Sequence, residues 1–124
     1  MGRHYAIVKI RGDFRPVIEV DADDYLPLGG LEDVRKAIRT AFPSAEWSKS
    51  TPTYAAYSGH DANGNEFGIE IDLQGVESAN CVLMTVSGSG DAFLSLLKLT
   101  EANGWLAIDM SGGKFLDPNN PEVA

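Results

Sequence analysis

Glu70 and Asp72 stand two residues apart in a stretch where Phe67, Ile69, Ile71 and Leu73 alternate with Gly68, Glu70 and Asp72. On an extended strand this spacing puts both carboxylates on one face, roughly 7 Å apart, close enough for a pair to divide acid and base work. Such work needs a concave, partly desolvated setting that drives the two pKa values apart. The same alternation is also the pattern of a solvated strand face, so the pair is expected to form part of a polar contact surface rather than a catalytic dyad.

The other reactive side chains are few. His4 and His60 are the only histidines and Cys81 is the only cysteine, which spells out neither a zinc-ligand set nor a cysteine nucleophile with its base. Cys81 precedes Val82 and Leu83 and reads as a small buried hydrophobe. Asp61-Ala62-Asn63-Gly64-Asn65-Glu66 brushes against a calcium loop, but its glycine falls at the fourth position instead of the sixth and no Glu stands at the twelfth. Asn-Gly between extended runs signals a hairpin turn.

Gly88-Ser89-Gly90-Asp91 lies between a strand and a helix start, where free N–H groups attract anions. It lacks both a third glycine and a Gly-Lys-Ser/Thr, and Asp91 would repel phosphate while serving as a cap. Asp21, Asp23 and Asp24 read as loop charge, and Arg11-Gly12-Asp13 as a turn. No cofactor and no metal site is expected from this inventory.

The elements that position these residues follow from periodicity. His4–Ile10 and Pro16–Val20 read as a first hairpin turning at Arg11-Gly12-Asp13. Leu31, Val34, Ile38, Ala41 and Phe42 recur at helical spacing, with Glu32 and Asp33 at the start and Pro43 barring continuation. Thr53–Ser58, Phe67–Leu73 and Asn80–Ser87 form three successive strands, with Gln74–Ala79 as a turn region. A second helix runs to Asn103, capped by Ser89 or Asp91 and stopped by Gly104. Trp105–Met110 and Lys114–Leu116 make a terminal hairpin, and residues 117–124 are expected to fray.

The resulting order, ββαβββαββ over a single domain of 124 residues, points to an α+β fold with a mostly antiparallel sheet. Both helices have one apolar stripe, so they are expected to pack side by side on one sheet face and leave the other uncovered. Parity then assigns Tyr5, Ile7 and Lys9 of the first strand, with Val17 and Glu19, to the same open face as Glu70 and Asp72. This mixture of apolar and charged residues is the expected protein-contact surface.

A formal charge of −8 repels phosphate backbones and steers toward basic partners. No apolar stretch reaches the roughly 20 residues that cross a bilayer, and the lone cysteine suits a reducing compartment. The expectation is a cytoplasmic, non-catalytic interaction domain that binds another protein, a basic one by charge, and neither nucleic acid nor membrane. Inhibitor, immunity-type and adaptor proteins share this description at the level of class. A homodimer through the same surface, and a small ligand-binding or hydrolytic domain with a pocket between helices and sheet, are the alternatives.

Overall fold

The alternation around Ile69 and Ile71 produces the longest strand of the sheet. The structure, a computed structural model, describes residues 3–75 and 78–116. Its strands are β1 (Arg3–Ile10), β2 (Tyr25–Leu26), β3 (Gly29–Gly30), β4 (Glu46–Trp47), β5 (Tyr54–His60), β6 (Glu66–Gln74), β7 (Ser78–Ala79), β8 (Cys81–Gly88), β9 (Leu106–Asp109) and β10 (Lys114–Phe115). Two helices, α1 (Leu31–Ala41) and α2 (Phe93–Asn103), and two 3-10 turns, Val17–Glu19 and Ala22–Asp24, complete them.

The main sheet runs β10-β9-β1-β8-β6-β5-β4, with β2 added to β1, and its strand pairs are antiparallel. A small second ladder joins β3 to β7. This is the α+β class that runs of strands with intervening helices imply.

Both helices end where local chemistry stops them. In α1, Val34 and Ile38 are buried, and Phe42 closes the stripe just beyond the last turn. The Phe93 N–H donates to Asp91 Oδ1 at 2.9 Å, which satisfies one free amide at the start of α2. Gly104 takes a left-handed conformation (φ 68°) that a side chain would disfavour. The Trp105 N–H then donates to Thr100 O at 2.9 Å, and the indole is buried.

The helices pack on the same sheet face. Val34, Ile38, Leu96 and Leu99 join Ile7, Ile69, Ile71, Val82, Met84 and Val86 in one core cluster, each such side chain contributing about 1.5–3 kcal/mol by leaving water. β4 is pinned to this layer by Trp47, whose ring lies beneath the Arg35 guanidinium of α1 at 4.9 Å.

Two expectations fail in the first third of the chain. Pro16–Val20 is not a strand: Val17–Glu19 is a 3-10 turn, and β2 takes the place beside β1 through Lys9↔Leu26 and Ile10↔Tyr25. Proline has no N–H for a ladder, and Arg15 organises the segment instead. Its guanidinium donates to Arg11 O at 3.0 Å, to Asp13 O at 2.8 Å and to Asp24 Oδ2 at 2.8 Å.

The second correction concerns the far sheet face, which is not wholly open. The segment from Arg11 to Leu26 folds across its β1–β9–β10 half. There it buries Val8, Val20 and Phe115, with Ile10, Val17, Tyr25, Leu106 and Ile108 packed around them. The expected fraying of 117–124 lies outside the described residues, as do 76–77 in the expected turn after β6.

Candidate functional site on the open half of the sheet

Among the described residues no such segment covers the β5–β6–β8 half of the far face, and register lays out its rows. His60 faces Glu66, Ser58 faces Gly68 and Ser87, Ala56 faces Glu70, Thr85 and His4, and Tyr54 faces Asp72, Leu83 and Ala6. Strand alternation puts these side chains on one side because the residues between them, among them Ala55, Ile69, Ile71, Met84 and Val86, lie in the helix-side core.

The rows include Glu66, Glu70 and Asp72 and no Lys or Arg. Polar contacts cross them. Tyr54 Oη donates to Glu70 Oε1 at 2.8 Å, and this bond to the carboxylate is the main reason the phenol's pKa is raised. His4 Nδ1 lies 3.2 Å from Thr85 Oγ1. His60 Nε2 lies 3.4 Å from Glu66 Oε1, with both side chains largely exposed.

The absence of a side chain at Gly68 leaves a hollow of about 380 Å³ walled by Ser58, His60, Glu66 and Ser87. A second hollow, of about 170 Å³, lies beyond His60 against Asp61, Asp91 and Leu94. Asp61 Oδ1 accepts from the Asn63 and Asn65 amides, and its Oδ2 accepts from the Asp91 amide. These bonds, the Asp91 one first, hold its pKa below the ordinary carboxylate value. The carboxylate therefore fastens the β5–β6 turn to the loop before α2. A groove of about 320 Å³ on the outside of the molecule runs between Lys36 and Thr40 of α1 and Lys98 and Asn103 of α2.

The residues expected on the contact face divide. Glu70 and Asp72 are exposed on the open rows, as β6 alternation implies. Tyr5 and Ile7 are a correction: Tyr5 pairs with Met84 and Ile7 with Val82, so both point to the helices, and Ile7 is 0% exposed. The strand His4–Ile10 is apolar on both parities, and nothing local says which parity meets the helices.

Lys9 shares that parity, is half-buried, and stands opposite Leu26 of β2. Val17 is packed under the covering segment, and Glu19 is exposed on its 3-10 turn. Neither stands in the rows that contain Glu70 and Asp72.

Sequence reasoning missed Tyr54, Ser58, Thr85 and Ser87 as members of the face. The signal was present in β5 and β8, where these polar residues alternate with Ala55, Tyr57, Met84 and Val86. Cys81 is half-buried beside the second cluster. Burial, then Asp72, pushes its thiol pKa up, which favours the unreactive thiol form.

Among the described residues no group of three or more His, Cys, Asp or Glu side chains is placed to hold a metal ion. No helix there is long and apolar enough to cross a membrane. No protein-family model matches the chain, and no significant match is found among curated proteins or solved structures.

Proposed function

We propose that this chain is a non-catalytic protein-interaction domain that docks a basic protein on the open β5–β6–β8 half of its sheet. One observation supports the reading above others: Glu66, Glu70 and Asp72 share a face on whose paired rows, among the described residues, no Lys or Arg stands. Paired carboxylates inside a sheet face repel one another, and a partner's ammonium or guanidinium groups relieve that repulsion on binding. The net charge of −8 adds long-range attraction of the same sign.

The test compares proteins retained from a native lysate by the wild type with those retained by the triple variant E66K/E70K/D72K. A second variant, D13K/D23K/E101K, reverses three exposed carboxylates elsewhere and controls for net charge. The expected result is a set of basic proteins held by the wild type and by the control, released by salt and lost from E66K/E70K/D72K. Equal retention by all three proteins would overturn the reading.

A further inference from the structure

We propose that the partner contributes an extended segment, alternating basic and apolar residues, that adds as a strand to the free C-terminal half of β5 at Ser58–His60. The inference rests on the reading above only for the sign of the partner's charge. Its own ground is backbone bookkeeping at the sheet edge.

In an antiparallel ladder, alternate residues direct their N–H and C=O groups to opposite neighbours. The Leu73 N–H donates to Thr53 O, and the Asp61 N–H donates to Asn65 O, so odd-numbered residues of β5 and its flanks face β6. The Ser48 N–H donates to Tyr54 O, which places the even-numbered residues toward β4. But β4 pairs only with Ala55 and Ala56. Ser58 and His60 thus direct their backbone groups away from β6, where no strand stands beside them among the described residues.

Free edges are commonly shielded by proline, by lysine or by a bulge. Tyr57-Ser58-Gly59-His60 includes neither proline nor lysine, and its register with Ile69-Gly68-Phe67-Glu66 is unbroken. The edge is therefore regular enough to template an added strand.

Its two sides set the chemistry of that strand. On the helix side, the Tyr57 ring packs on Phe42 at 4.8 Å and on Phe67 at 6.2 Å. The same ring lies over Gly59, where a Cβ would meet its hydroxyl at 2.8 Å. On the open side stand Ser58, His60 and Glu66. A strand laid against this edge meets aromatic surface with one set of alternate side chains and carboxylate with the other. Lys or Arg alternating with Val, Ile or an aromatic fits both.

The probe is an end-blocked heptapeptide of alternating Lys and Val, titrated against the full chain by fluorescence anisotropy and by amide hydrogen exchange. Expected is binding that slows exchange at the Ser58 and His60 amides, with no binding of the matched Glu/Val peptide. In an antiparallel added strand the residues opposite Ser58 and His60 donate the ladder bonds, and these are the lysines. N-methylation of the lysine amides should then weaken binding by about tenfold or more, and N-methylation of the valine amides should not.

If both methylated peptides bind as well as the parent while E66K/E70K/D72K still abolishes binding, the strand-addition proposal is overturned and the acidic-face reading stands. If one methylated set fails but charge reversal has no effect, the edge is the site and the basic-partner reading falls. Absence of binding at millimolar peptide, or a dimer of the chain protecting the same two amides, overturns the proposal.

Discussion

Asp61 and Asp91, 30 residues apart in sequence, are joined by a 3.0 Å hydrogen bond from the Asp91 amide to the Asp61 carboxylate. With the Asn63 and Asn65 amides on its other oxygen, one side chain closes a turn and anchors a loop. The folded-state pKa of Asp61 is thereby lowered from 3.8. A group with a depressed folded pKa stabilises the fold fully above its unfolded pKa, and that contribution disappears as pH falls through the folded value. D61A should therefore lower Tm at neutral pH, and its Tm should fall less than that of the wild type between about pH 5 and pH 2. Circular dichroism melts across that range decide it, and parallel curves would refute the assignment.

Arg15 is the centre of the covering segment, bonded to the carbonyls of Arg11 and Asp13 and to the Asp24 carboxylate. R15A should cost about 1–2 kcal/mol and should open the segment before the rest of the fold. Limited proteolysis would show the difference as new cleavage within residues 11–24, while the helices stay protected. R15K should restore little, because an ammonium cannot reach several acceptors in the planar fork of a guanidinium.

Ile7 and Glu70, assigned by parity to one surface, should behave as residues of opposite kinds. I7A leaves a cavity in the helix-side core and should cost about 2–5 kcal/mol. E70K removes one exposed hydrogen bond with Tyr54 and should change stability by no more than about 1 kcal/mol. Urea melts of the two variants separate core from face, and a large loss in E70K would contradict the register.

Gly68 and Gly90 differ in what a methyl group would meet. At Gly68 a Cβ would sit 3.3 Å from Ser87 Oγ, a side-chain atom that can rotate, whereas at Gly90 it would collide with the backbone carbonyls of Asn65 and Glu66. G68A should fold with stability within about 1 kcal/mol of the wild type while shrinking the hollow, and G90A should lose about 2–4 kcal/mol. Thermal melts of the pair give the comparison, and equal effects would refute it.

Where one period dominates locally, the fold was legible. Val34 and Ile38 mark a helical stripe, and Ile69 and Ile71 mark a strand with one buried side, so α1, β6 and the positions of Glu70 and Asp72 follow from sequence. β1 resisted because Tyr5 and Ile7 meet one core cluster while Val8 meets the other. A strand buried on both faces has no readable parity. The covering segment resisted for another reason: its shape depends on Arg15 reaching carbonyls and a carboxylate up to nine residues away, a tertiary choice that no periodicity records. Half of the open surface inferred from sequence was lost to that segment.

β1 lies between β8 and β9, so the earliest residues of the chain find their neighbours among the latest. His4 pairs with Thr85, and Ala6 pairs with both Leu83 and Ile108. During synthesis β1 stays unpaired on one side until β8 (Cys81–Gly88) is made and on the other until β9 (Leu106–Asp109) is made. Such distant pairing slows folding and lengthens the time for which apolar strands are unprotected, so the nascent chain is the stage at which this protein is most exposed to aggregation.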